Sequence, residues 1–173
     1  HVADVFAAPG LRLVCANSLA AALGTAALCT LLAYAAALVT VRGALPRPAK
    51  TLIGAAATVS GCVPGMVLGI AFLLVFSGTP LSHTLALVIL CNTFHFLSAP
   101  YLMMKGALEK LNARWEATGM LMGDTWLRTV LRVVTPNARD ALVAVFAYCF
   151  VNAMVTVSAV IFVAGARTAV ITS

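Results

Sequence analysis

With 173 residues, of which 62% are hydrophobic and only 9% charged, the chain cannot coat a soluble globule of its size, and its apolar content excludes a disordered chain. A mean hydropathy of +1.05 belongs to a chain whose solvent is mostly lipid, and the length allows about four to six spans at ~20 to 25 residues each. The net charge of +6 does not indicate nucleic acid, because the eleven basic residues are not interleaved with aromatics on one soluble face.

The first ten residues, opening at His1, lack the basic and apolar stretches of a signal peptide, and the chain reads as a fragment. Charge-free apolar runs then cover 13–41, 51–104 and 141–166. Ser77, Gly78, Thr79 and Pro80 divide the middle run, leaving predicted helices at 13–41, 52–76, 81–104 and 141–165. Lipid offers no partner to an unpaired peptide group and no period of two is present, so the fold class is an all-α polytopic bundle of about four transmembrane helices.

Orientation follows from the basic residues. Arg42, Arg47 and Lys50 follow the first run, and Lys105, Lys110, Arg114, Arg128, Arg132 and Arg139 follow the third, so nine of eleven fall on one side, expected to be cytoplasmic. Only Arg12 and Arg167 remain for the other face, which puts both ends of the chain outside. The segment 105–139 reads as two short cytoplasmic helices. Leu111, Trp115, Thr118 or Gly119, and Met122 form one apolar face before Gly123 interrupts. Asp124 or Thr125 then caps a second helix with a stripe of Leu127, Val130, Leu131 and Val134, which Pro136 ends. Asp124 and Arg128 form an i,i+4 pair. Two such helices could lie on lipid headgroups or form a docking surface for a cytoplasmic partner.

The run Trp115-Glu116-Ala117-Thr118-Gly119-Met120-Leu121-Met122-Gly123, with Pro136 thirteen residues after Gly123, resembles the "EAA" loop of binding-protein-dependent ABC transporter permeases. That pattern is Glu-Ala-Ala, three residues, Gly, nine residues, Ile-x-Leu-Pro. Here Ala117 stands at its glutamate, Thr118 and Gly119 at its alanines, Glu116 one position early, and Thr135 at the leucine. The stretch Ser60-Gly61-Cys62-Val63-Pro64-Gly65-Met66-Val67-Leu68-Gly69 resembles the P-x-x-V-P-G-x-V-L-G helix of the ferric-iron and 2-aminoethylphosphonate branch. Asn17-Ser18-Leu19 and the run 152–162 look similar to the same branch.

The resemblance implies one permease domain over 1–173, lacking a final helix, in a bacterial inner membrane. It implies a separate ATP-binding cassette ATPase, a periplasmic solute-binding protein and a second permease subunit or half as partners, with a phosphonate or ferric iron as solute. Glu116, Ala117, Thr118, Gly119, Gly123, Asp124, Arg128 and Pro136 would be the ATPase-coupling loop. No catalytic residue, cofactor or resident metal is expected: there is no phosphate-binding G-x-x-x-x-G-K-[ST] loop, no nucleophile set, and no C-x-x-C or Cys/His cluster among Cys15, Cys29, Cys62, Cys91 and Cys149.

Within the runs, Gly61, Gly65 and Gly69 repeat every four residues beside Pro64, which suits close helix packing or a kinked pore-lining helix. Asn92, His95 and Asn152 are costly in lipid and so should face protein or a water-filled path. An ion-coupled secondary transporter or channel is the alternative, but its intramembrane acids are missing from all four runs. An intramembrane enzyme lacks paired acids, and a purely structural subunit stays open.

Overall fold

The structure, a computed structural model, describes the backbone of residues 9–80, 84–112 and 114–171, and the side chains of residues 15–80, 84–112 and 114–156. All regular elements among them are helical. The first, α1 (Pro9–Val41), is the central post, packing against four later helices: Arg47–Val59, Leu85–Phe96, Ser98–Lys110 and Arg139–Ile171. Its sequence explains this position: Ala22, Ala26, Cys29, Ala33 and Ala37 recur every three or four residues and are fully buried. Small side chains let neighbouring backbones approach closely where lipid supplies no hydrophobic drive between helices.

The next two helices, α2 (Arg47–Val59) and α3 (Gly65–Val75), are joined by a 3-10 turn, Ser60–Cys62, and bent by 109°. The one helix expected over 52–76 is therefore a broken pair. The cause is local: Val63 is extended (φ −90°, ψ 123°), as a residue before proline prefers, and Pro64 then starts a new helix by accepting from Val67 and Leu68. A second broken pair follows, α4 (Leu85–Phe96) and α5 (Ser98–Lys110), bent by 56°. Pro100 has no N–H for the carbonyl of Phe96, so the ladder fails there. The helix expected over 81–104 is thus also two pieces and continues to Lys110, while residues 81–83 lie outside the described residues. Between the pairs, Gly78 takes a positive φ of 79° in the expected turn.

The connection from α5 to the last long helix contains α6 (Arg114–Leu121), α7 (Trp126–Thr129), a π-helical segment Val130–Val134, and a short α8 (Thr135–Asn137) before α9 (Arg139–Ile171). Pro136 does not end a helix as expected. It sits in the first turn of α8, where a missing N–H costs nothing, and the π widening ahead of it closes on Thr135 N–H and Oγ1, both donating to the carbonyl of Val130. Val145, Cys149 and Ala153 of α9 are fully buried every four residues. They face the small-residue stripe of α1, with Tyr101, Met104 and Leu108 of α5 completing the core.

By length and composition, α1 and α9 can each cross a membrane, and the total is four if each bent pair counts as one span. The fold is that of an all-α membrane protein. Arg12, Arg167 and the side chains from 157 onward, including the end of the expected 141–165 span, lie outside the described side chains.

Candidate functional site

Arg42, just past the end of α1, makes the pivotal contact of the connecting segment. Its Nη1 donates to both carboxylate oxygens of Glu116, at 3.0 and 3.1 Å, and its Nη2 donates to the carbonyls of Leu108 and Leu111, at 2.7 and 2.6 Å. One guanidinium thus ties three elements: the end of α1, the carboxyl end of α5, where helix carbonyls lack partners and the dipole favours a cation, and the start of α6. The side chains are only 5% and 11% exposed. Charge-assisted bonds in so dry a place are among the stronger ones available to a protein.

A second tie lies one layer deeper. The hydroxyl of Thr135 donates to Val130, so the hydroxyl of Tyr34 on α1 donates to Thr135 Oγ1 at 2.6 Å. The connecting segment is thereby fixed to α1 at both ends. A cavity of about 490 Å³ opens beside the first tie, lined by Arg42, Glu116, Met120 and Trp126.

The turn between α6 and α7 is a Schellman cap. Asp124 N–H bonds to Gly119 O at 3.0 Å and Gly123 N–H to Met120 O at 3.1 Å, with Gly123 in the left-handed region at φ 84°. The helices then close on Gly119: a Cβ there would collide with the Thr129 side chain, including its Cγ2 at 3.0 Å. Asp124 and Arg128 pair at 3.3 Å in the open.

The expected apolar faces are divided. Met122 is 81% exposed, and the inward positions of α6 are Glu116 and Gly119. An α-helical stripe was expected over Leu127, Val130, Leu131 and Val134, but only Val130 and Val134 are buried: the inward face also takes Thr129 and the half-buried Trp126 and turns Leu127 and Leu131 outward. Met120, Leu121, Met122, Leu127 and Leu131 form an exposed apolar rim around the Gly123 turn. Ala117 and Thr118 are exposed beside it, the Thr118 hydroxyl returned to Arg114 O.

The polar groups of the spans gather elsewhere. Gly61 and Gly65 flank the first break and press on the second: added Cβ atoms would meet Ser98 at 2.9 Å and the His95 ring at 3.2 Å, whereas Gly69 faces open space. The close packing therefore uses two of the three glycines, on either side of Pro64 rather than along one straight helix. The His95 ring lies tilted against Phe96 with Nδ1 unbonded, and Asn92 is buried with Nδ2 unbonded. Asn152 donates to Tyr148 O of its own helix. Among the described residues no group of three or more His, Cys, Asp or Glu side chains is placed to hold a metal.

Arg42, Tyr34 and Thr129 were not singled out from the sequence. The signal for Arg42 was a cation directly after the first apolar run, but nothing in the spacing named its partner among five acids.

No protein-family profile matches the chain. It is similar to the protein named ferric transport system permease protein FbpB 1 of Haemophilus influenzae, 34% identical over 112 residues, covering 62% of this chain and 17% of that protein. It is also similar to the ferric transport system permease protein FbpB of Actinobacillus pleuropneumoniae, 29% identical over 113 residues, covering 64% and 16%. The chain thus matches less than a fifth of the length of these curated relatives. The resemblance to transport permeases read from the residues is borne out.

Proposed function

We propose that this chain is part of the membrane-spanning permease of an ATP-driven ABC importer in a bacterial inner membrane, and that the Gly123 turn is its cytoplasmic handle. A separate ATP-binding cassette subunit would seat the exposed rim around Met120, Leu121, Met122 and Leu127, with Glu116, Ala117, Thr118, Gly119, Asp124, Arg128 and Pro136 shaping that face. Closing of the ATPases would move the handle, and the handle would move α1 through Arg42. The observation that carries this reading is the combination within one element: a dry ion pair anchoring it inward and apolar side chains standing outward beside a glycine-only turn.

The solute is ferric iron, the cargo in the relatives' names, or a phosphonate such as 2-aminoethylphosphonate. It would be handed over by a periplasmic binding protein and pass between this unit and a second permease subunit or half. Gly61, Pro64, Gly65, Gly69, Asn92, His95 and Asn152 then belong to the packing or lining of the moving spans. Two broken helix pairs are also a feature of ion-coupled transporters, but the acids that such carriers need are missing from the interior of the described spans.

The test is uptake by the whole transporter carrying Arg128→Glu or Gly123→Val. Both variants insert normally, and both lose ATP-dependent uptake. Full uptake in both variants removes the coupling assignment.

A further inference from the structure

On the same side of the fold as the Arg42 tie, a cleft of about 410 Å³ lies between α2 and α5, with Thr40 of α1 at its floor. Lys50 and Lys105 stand on its opposite walls with Thr51, Thr58 and Tyr101. Its volume is that of an ordinary small-ligand site. No carboxylate lines it. Lys50 makes no ion pair among the described residues, and Lys105 reaches only Glu109, at 3.9 Å with both side chains about half exposed, a pair of little worth.

The hydroxyls carry no charge to set against the lysines, and with their protons already given away they have none to offer an anion. Tyr101, 2% exposed, donates to Thr40 Oγ1 at 3.3 Å; Thr40 donates to Ala36 O; Thr51 donates to Arg47 O; and Thr58 donates to Gly54 O. The two ammonium groups are the donors left over. The helix beneath adds to the imbalance: α2 starts at Arg47 with no acid in its first turn, so Arg47 and Lys50 sit at the positive end of its dipole. Gly54 keeps the cleft open, since a Cβ there would come within 2.9 Å of the Tyr101 hydroxyl.

We infer that this cleft binds a phosphate group, held by Lys50 and Lys105 between α2 and α5 at the level of one leaflet's headgroups. The group is an anionic phosphate, borne by an anionic phospholipid or free in solution. Basic pockets between spanning helices at a cytoplasmic surface take such headgroups, and each lysine near the surface is worth roughly a fivefold gain in affinity. The inference rests on the membrane reading of the fold and is independent of the solute and the ATPase.

The experiment reconstitutes the whole protein into vesicles of phosphatidylcholine and phosphatidylglycerol with spin-labelled phosphatidylglycerol, and measures the immobilised lipid fraction by electron spin resonance. Flotation of the vesicles checks membrane insertion separately. The native protein holds the anionic lipid over the zwitterionic one; Lys50→Gln and Lys105→Gln each cut that preference roughly fivefold. Arg139→Gln, which removes an exposed charge outside the cleft, leaves it unchanged. Displacement of the label by inorganic phosphate assigns the site to the free ion as well, and its persistence assigns it to the headgroup. A preference untouched by both lysine variants, or lowered equally by Arg139→Gln, overturns the site.

Discussion

Glu116→Gln keeps the side chain's shape and one acceptor oxygen but deletes the charge that faces Arg42. An exposed ion pair would be worth about 0 to 1 kcal/mol. This pair is 5% and 11% exposed, so removing one partner belongs to the buried regime of roughly 3 to 5 kcal/mol. Arg42 keeps its bonds to Leu108 O and Leu111 O in the variant, which places the loss near the lower bound, about 3 kcal/mol. Arg42→Met loses more, because Leu111 O loses its Arg42 donor and Leu108 O keeps only the Leu111 N–H while the carboxylate is stranded, at about 1.5 to 3 kcal/mol for each bond to a charged group. The double variant Arg42→Met with Glu116→Gln leaves no uncompensated charge and should open α6 less than Arg42→Met alone. Amide hydrogen exchange of α6 in detergent reads these opening energies directly. A Glu116→Gln loss below about 1 kcal/mol, or a double variant as damaged as the two singles added together, refutes the claim that a desolvated pair anchors the segment.

Gly119→Ala pushes into Thr129 and should separate α6 from α7, seen as faster exchange in both; adding Thr129→Ala leaves only a 3.3 Å contact with its Cβ and restores most protection. Gly123→Val forces a branched residue to φ 84° and should destabilise the cap by about 1 to 2 kcal/mol, again in the exchange of the last α6 amides. Gly65→Leu drives into the His95 ring and should lower the unfolding temperature in detergent, with His95→Ala recovering part of the loss. Tyr34→Phe removes the 2.6 Å bond to Thr135 and should cost about 0.5 to 1.5 kcal/mol in thermal unfolding, without disturbing α6 exchange.

The helical class was legible because lipid permits few alternatives, and the turn at Gly78 because four turn formers stand together. The breaks were half legible. Pro64 announces a kink, and its disfavour of a helical residue before it extends Val63, but the size of the bend, 109°, is not written in that local preference. Pro100 lies inside an unbroken apolar run, where no cluster of turn formers marks a break. The π segment was invisible, since Val130 and Leu131 fit an α-helical stripe equally well until one of them is seen to be exposed. At the site, Glu116 was noticed for its place in a pattern, yet its partner is 74 positions away, a distance over which local spacing carries no information.

That separation also sets an order of events during synthesis. Arg42 leaves the ribosome 74 residues ahead of its counter-ion, which at 5 to 20 residues per second is roughly 4 to 15 seconds. For that interval α1 carries at its end a guanidinium without its carboxylate, and such a group stays hydrated until a partner arrives. Only when α5 and α6 emerge can the cation trade its hydration for two carbonyls and a carboxylate, so the docking of the connecting segment follows the synthesis of α1 to α5.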